Sequence, residues 1–153
     1  MLEIQINNES TFETDTKPII DLVEFTCKKH EISEADISIA IVDDQAMSKV
    51  HEEFMNDAST TDVMSFNLSD SDETRQTFEM IVNADMACRI AESRNTQPLS
   101  ELLLYILHGL LHNIGFDDLC EEDFNEMHKA ENEILEELGY GRVFGNGKFG
   151  EKI

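Results

Sequence analysis

The stretch "LSELLLYILHGLLHNIGFDD", residues 99 to 118, is the most apolar segment of the chain, yet it carries two histidines near its end. Pro98 and Ser100 are typical of a helix start. Gly115 is typical of a helix end, because glycine tolerates the left-handed conformation found there. Apolar residues cover most of the circumference of this helix, so we expect it to run through the middle of the fold.

The two histidines, His108 and His112, are four residues apart, which places them on one face of the helix. Two imidazoles in this arrangement can bind one metal ion. Gly115 lets the chain reverse direction, so that Asp117 or Asp118 can approach the pair. The spacing HxxxHxxGxxD matches the metzincin ligand pattern HExxHxxGxxH with an aspartate as the third ligand. It predicts a zincin-like metal site of His108, His112 and Asp118, with a fourth position open to water as in catalytic zinc sites.

Gly109 departs from the peptidase pattern. In peptidases of the HExxH type, a glutamate at this position is the general base. A site that has the metal ligands without that carboxylate is not expected to cleave peptides by the same mechanism. The simplest alternative is that His108 and His112 are hydrogen-bonded core residues that bind no metal.

Several other residues near the motif are alternative ligands or supporting groups. Three further histidines are not in register with the pair: His30, His51 and His128. We expect His128 to be a surface residue. Cys120, two residues after Asp118, is an alternative third ligand. Asp117 is expected to hydrogen-bond a ligand or to cap the next helix.

The rest of the chain predicts an α+β fold, with a small mixed four-stranded sheet packed against about five helices. The apolar residues of the second helix, Phe54 among them, are expected to face inward. We expect one domain over residues 1–153, ending in a mobile glycine-rich tail at residues 139–153. The predicted strands lie at residues 2–7, 36–42, 62–67 and 78–84, and the helices at 18–29, 44–56, 85–94, 99–114 and 120–138.

Composition sets limits on the partners. The 33 acidic and 11 basic residues give a net charge of −22, which argues against broad affinity for nucleic acid, and we expect no DNA partner. Cys27, Cys88 and Cys120 are odd in number and widely spaced, which is typical of reduced core thiols in a cytosolic protein. The chain has neither a run of about 18 apolar residues nor the start of a signal peptide. We therefore expect a cytoplasmic protein without a membrane partner.

Two motifs resemble those of one family. "HGLLHNIGFDD" at residues 108–118 is similar to the HGxLHLxGYDH signature of the YbeY family, bacterial rRNA maturation factors described as zinc-dependent endoribonucleases. "TTDVMSFN" at residues 60–67 resembles the TDVLSFP segment of that family. The resemblance extends over residues 2–138. It implies one Zn²⁺ per chain, cleavage of single-stranded RNA, small-subunit rRNA processing and ribosome quality control, with rRNA and the small ribosomal subunit as partners.

The chain differs from the family in two places. Asp118 replaces a histidine, and its harder oxygen ligand moves the metal preference toward Mn²⁺ or Mg²⁺, although Zn²⁺ is still expected. Met55 stands where the family usually carries an arginine, and a thioether cannot pair with a phosphate. Two alternatives therefore stay open: a zinc metallopeptidase without the usual glutamate, and a noncatalytic ribosome-binding factor with a structural metal.

No residue is identified as the catalytic base. Asp62 is expected to cap or brace the following turn, and Ser65 to face a neighbouring strand. The acidic residues of the last helix, including Glu131, are expected to form a solvated face that repels phosphate. An RNA strand would then pass over Arg89, Arg94 or the tail at residues 142–152.

Overall fold

A computed structural model describes residues 1–72, 74–141 and 143. The predicted tail at residues 139–153 lies outside this part of the chain, apart from residues 139–141 and 143. Within the described residues, four strands and five helices confirm the α+β class. They are β1 (Leu2–Asn8), α1 (Lys17–Lys29), β2 (Ala35–Val42), α2 (Asp44–Met55), β3 (Val63–Asn67), β4 (Gln76–Asn83), α3 (Ala84–Arg94), α4 (Pro98–Ile114) and α5 (Glu121–Glu137).

The four strands form one mixed sheet in the order β1-β2-β4-β3. The first three are parallel, with Ile4 beside Ile37 and Ile39 beside Met80. Strand β3 runs antiparallel to β4, with Ser65 opposite Met80. Because β3 pairs on one side only, it is an edge strand of the sheet.

Side-chain alternation along the strands divides the core between the two faces of the sheet. Ile37 and Ile39 of β2 point to the main core, which also contains residues of α1 and α4. Ala40 and Val42 point to the opposite face, where Met47 of α2 packs in a smaller cluster. The metal-site motif lies on the main-core side.

Helix α4 is the central helix, as predicted. It contacts β3, β4, α1, α3 and α5. Its middle is fully buried, and it comes so close to the sheet at Gly109 that a Cβ atom there would lie 3.1 Å from Cγ2 of Val63 and 3.2 Å from Cγ of Met80. Glycine at this position therefore lets the helix pack closely on β3 and β4.

The second helix differs from the prediction at one apolar residue. Phe54, expected to face inward, is 61% exposed. Its ring lies 5.0 Å from the ring of Phe66 on the edge strand β3. Phe54 therefore packs against the edge strand and not in the core.

Within the described residues, none of the helices combines the length and apolar character that crossing a lipid bilayer requires.

Candidate metal centre

The three residues predicted to bind a metal meet at the end of α4. Nε2 of His108 and Nε2 of His112 lie 3.1 Å apart. Oδ2 of Asp118 is 3.7 Å from each of these nitrogens. One ligand atom from each residue thus lies within 4.8 Å of the other two. Spacing along the sequence therefore identified side chains that meet in space.

The turn after α4 brings Asp118 to the histidines. Gly115 has a φ of 126°, and the backbone N–H of Phe116 donates to the carbonyl of Leu111 over 2.9 Å. Oδ1 of Asp117 then accepts hydrogen bonds from the backbone N–H groups of Asp118, at 2.6 Å, and Leu119, at 3.0 Å. Asp117 therefore stabilises this turn, and its neighbour Asp118 points toward the histidines.

Cys120 is not part of this group. Its sulfur lies 3.5 Å from the backbone nitrogen of Asp123, where it caps α5 in the place predicted for Asp117. The side chain is exposed, so the expectation of a core thiol is wrong at this position. Among the other histidines, His30 packs edge-on against Phe116, and Nδ1 of His51 lies 2.8 Å from the carbonyl oxygen of Ser59.

A buried carboxylate on α5 holds His108 in place. Nδ1 of His108 donates to Oε2 of Glu131 over 2.8 Å, which leaves Nε2 facing His112 and Asp118. Nδ1 of His128 donates to the other carboxylate oxygen of Glu131. An acceptor behind the ring fixes the orientation of a metal-binding histidine and raises its basicity.

Two predictions about α5 are wrong. Glu131 is fully buried and His128 is 6% exposed, although both were expected on the surface. The reason is helical periodicity, because these two residues lie on the same face as the apolar residues that hold α5 against the core. That spacing was a signal in the sequence, but the polar residue types favoured a solvated position. The apolar residues of this face are Phe124, Met127, Ile134 and Leu135.

The charges around the site favour different proton states on the two histidines. Burial opposes protonation of His108, but the hydrogen bond and charge of Glu131, with the charges of Asp62 and Asp118, raise its pKa. Burial and the neighbouring His108 lower the pKa of His112. Burial opposes ionisation of Glu131, yet its bonds to the two histidines hold its pKa below the usual range. A neutral His112 at physiological pH offers an unprotonated nitrogen to a metal.

The distances fit a small divalent ion. Tetrahedral zinc with Zn–N bonds of 2.0–2.1 Å separates its nitrogen ligands by roughly 3.4 Å. The observed separation of the histidine nitrogens is 3.1 Å. Two imidazoles and one carboxylate are also ligands that zinc accepts. His108, His112 and Asp118 could therefore hold a metal ion.

Hydrogen bonds from Asn83 hold residues 60–62, the segment directly before β3. The backbone N–H of Asn83 donates to the carbonyl of Asp62 over 2.9 Å. The side-chain amide of Asn83 lies 3.1 Å from the carbonyl of Thr61, 2.9 Å from Oγ1 of Thr60 and 2.8 Å from Oδ1 of Asp44. Asp62 in turn accepts from the backbone N–H of Val63 at 2.8 Å, so it stabilises the start of β3 instead of the turn that was expected.

The two arginines expected to line an RNA path already lie against carboxylates of the chain. Both terminal nitrogens of Arg89 contact the carboxylate of Asp44, at 2.5 and 3.2 Å. Arg94 lies 3.8 Å from the buried carboxylate of Glu101. The remaining part of that path, at residues 142–152, lies outside the described residues except for residue 143. Met55, at the end of α2, is 63% exposed.

The chain is similar to known proteins over most of its length. A family model described as "Endoribonuclease YbeY" matches residues 3–139. The protein of that name from Clavibacter michiganensis subsp. michiganensis is 32% identical over 143 residues, which cover 88% of this chain and 94% of the relative. The one from Protochlamydia amoebophila is 35% identical over 113 residues, or 72% and 75% of the two chains.

The fold also matches a solved structure. The solution structure of TM1509 from Thermotoga maritima aligns with a TM-score of 0.62 and 24% identity over 88% of this chain and 91% of that one. The solved structure supports the fold alone, whereas the family model over residues 3–139 and the relative at 32% identity show that the chain belongs to the YbeY family.

Proposed function

We propose that this chain is a metal-dependent endoribonuclease that cleaves single-stranded RNA. The observation that carries the proposal is the convergence of His108, His112 and Asp118 in a chain that belongs to a family described as an endoribonuclease. One Zn²⁺ per chain is the proposed ion. A bound divalent ion would polarise a phosphate oxygen or lower the pKa of water for attack on a phosphodiester.

The chain's own residues would orient the side chains that bind the ion. Glu131 would hold His108 with Nε2 toward the ion, through the 2.8 Å hydrogen bond. Asp117 would keep the turn that presents Asp118. The hydrogen bonds of Asn83 to residues 60–62 would hold the start of β3 in place beside α4.

The proposed substrate is rRNA of the small ribosomal subunit, in the cytoplasm, during rRNA maturation and ribosome quality control. Family membership supports this choice. The charge of −22 means that few phosphates can be neutralised by this chain alone. Specific recognition would then depend on the site itself and on the ribosomal partner.

Two rival functions make different predictions. A metallopeptidase would need a carboxylate near Gly109, but Val63 and Met80 fill the space into which a side chain at this position would extend. A noncatalytic ribosome-binding factor would use the metal for stability alone, and its main support is Met55 in place of an arginine.

The test begins with protein purified without added metal. Metal content is measured for the parent and for His112→Ala and Asp118→Ala, with His51→Ala as the control because His51 lies outside the trio. We expect about one ion per parent chain and per control chain, and a large loss in the other two variants. A parent without stoichiometric metal, or equal content in all four proteins, would contradict the metal site.

The same four proteins are then assayed on a single-stranded RNA, its duplex and the deoxy version of the same sequence. The proposal expects cleavage of the single-stranded RNA only, its loss on chelation, and its loss in His112→Ala and Asp118→Ala. Chelation that lowers thermal stability with no RNA cleavage in any protein would favour the noncatalytic factor. Zinc-dependent cleavage of an unfolded protein would favour the peptidase.

A further inference from the structure

Three buried polar side chains are linked behind the candidate metal centre. Nδ1 of His128 donates to one oxygen of the Glu131 carboxylate, and Nδ1 of His108 donates to the other over 2.8 Å. The exposed fraction is 6% for His128, 0% for Glu131 and 7% for His108. Polar and charged side chains are buried to this degree mainly where they are paired. Glu131 acts directly on a candidate ligand, whereas His128 is not one of the three ligands and lies one hydrogen bond further away.

The fold places His128 against His108 as well as against Glu131. His128 and Glu131 are three residues apart on α5, so they lie on the same face of the helix. The rings of His128 and His108 are stacked, with 5.9 Å between their centroids and 16° between their planes. Phe124, one turn earlier on α5, packs edge-on against His128 with the centroids 4.2 Å apart. These contacts, together with the hydrogen bond, fix the position and orientation of the His128 ring.

The two hydrogen bonds determine how the Glu131 carboxylate is oriented. Because an ionised carboxylate only accepts hydrogen bonds, Nδ1 of each histidine is the donor. With one donor on each oxygen, the carboxylate cannot rotate without breaking a buried hydrogen bond. If the donor of His128 were lost, Oε1 of a fully buried carboxylate would lack a partner that compensates for its burial. The acceptor that Glu131 presents to His108 therefore depends on His128.

We propose that His128 is a positioning residue for the metal centre, which acts by holding the Glu131 carboxylate with Oε2 toward Nδ1 of His108. This inference rests on the metal site of the proposed function. The acceptor behind a metal-binding histidine typically contributes about 10- to 100-fold to metal affinity. His128 acts on that acceptor and not on the ion, so its loss should cost a part of this factor.

The experiment separates the donor of His128 from its ring. His128→Phe keeps a ring beside His108 but has no donor. His128→Asn loses the ring, but its side-chain amide can still donate to Glu131. Competition with a chromophoric chelator measures Zn²⁺ affinity. We expect the affinity to fall about tenfold in His128→Phe and to stay within about threefold of the parent in His128→Asn.

Packing alone predicts the opposite order, because the ring contacts with His108 and Phe124 are kept in His128→Phe and lost in His128→Asn. The matched control is His51→Phe, the same change at a histidine outside the trio, which should bind Zn²⁺ as the parent does. Tm measured without metal shows that each variant is folded. If the larger ring prevents folding, His128→Leu takes the place of His128→Phe, since it also removes the donor.

A second measurement shows whether the effect passes through the carboxylate. His128→Phe is combined with Glu131→Gln, which removes the charge that His128 holds in place. We expect His128→Phe to change Zn²⁺ affinity by less than about threefold in the Glu131→Gln background, although it costs about tenfold in the parent. A residue that acted on His108 through ring packing would cost the same factor in both backgrounds.

Three results would overturn the inference. They are a Zn²⁺ affinity of His128→Phe within about threefold of the parent, a loss in His128→Asn as large as that in His128→Phe, and equal losses in the two backgrounds. Failure of the proposed function looks different. A parent without bound metal removes the site and the role of His128 with it, whereas a parent that binds Zn²⁺ but cleaves no RNA leaves that role intact.

Discussion

Nδ1 of His108 donates a hydrogen bond to Oε2 of Glu131 over 2.8 Å, although the two residues are 23 positions apart in the chain. This bond joins the central helix to the last helix directly behind the candidate metal site. His128 bonds to the other oxygen of the same carboxylate. Glu131 thus uses both oxygens on histidines, and the Nε2 atom of His108 is left to face His112 and Asp118.

Replacing Glu131 by glutamine should therefore weaken metal binding. The amide keeps the size of the side chain but removes the charge that makes His108 a better ligand. We expect Zn²⁺ affinity to fall about 10- to 100-fold. Competition with a chromophoric chelator measures the affinity, and Glu133→Gln is the control because Glu133 is exposed on the same helix. Equal affinities in both variants would show that Glu131 supports packing alone.

The sequence predicted the features that depend on short spacings. The apolar pattern of α4, the four-residue step from His108 to His112, and Gly115 followed by Asp118 all lie in the 17-residue helix or in the turn directly after it. Helical geometry converts such spacings directly into positions in space. The central helix, the sheet class and the convergence of the three side chains are confirmed, while metal binding itself stays a prediction.

The features that were missed depend on contacts between distant segments. Two of these contacts are the hydrogen bonds from Asn83 to residues 60–62 and the close approach of Val63 to Gly109. Both require β3 to pair as the edge strand beside β4. No local sequence pattern indicates which strand pairs with β3. Glu131 was misplaced because a buried carboxylate needs specific partners, and one of its two partners, His108, is on another helix.

A second buried carboxylate should make stability depend on pH. Glu101 is fully buried, and burial raises its pKa despite the nearby Arg94 and the hydrogen bond from Thr96. The folded state therefore holds this proton more tightly than the unfolded state, whose carboxyl pKa is about 4.3. The contribution of Glu101 to the free energy of unfolding is fully present below the unfolded pKa. It is lost as pH rises through the higher folded pKa.

Glu101→Gln removes this titration. We expect the decrease in the free energy of unfolding between about pH 4 and pH 8 to be smaller for the variant than for the parent. Urea denaturation at a series of pH values measures the difference. Glu92→Gln, which changes an exposed residue of α3, should keep the slope of the parent. A parallel pair of curves for the parent and Glu101→Gln would contradict the prediction.

Restoring an arginine at Met55 should strengthen RNA binding. The side chain is 63% exposed at the end of α2, so the substitution requires no repacking of the core. One new phosphate contact should steepen the slope of log affinity against log salt by about 0.7 for a single-stranded RNA. Titration of a fluorescent oligonucleotide at several salt concentrations gives this slope. Met55→Gln, whose side chain is of similar length but uncharged, should bind RNA as the parent does. An unchanged slope in Met55→Arg would mean that no RNA phosphate lies near residue 55.

Introducing the peptidase glutamate should damage the fold without creating a peptidase. In Gly109→Glu the new Cβ would lie 3.1 Å from Cγ2 of Val63 and 3.2 Å from Cγ of Met80, so these two side chains have to shift. Overpacking of this kind costs about 1–3 kcal/mol in the free energy of unfolding. Urea denaturation should show this loss, and adding Val63→Ala should recover part of it by making room. A stable Gly109→Glu protein that cleaves an unfolded substrate in a zinc-dependent way would mean that the missing glutamate alone separates this site from a peptidase.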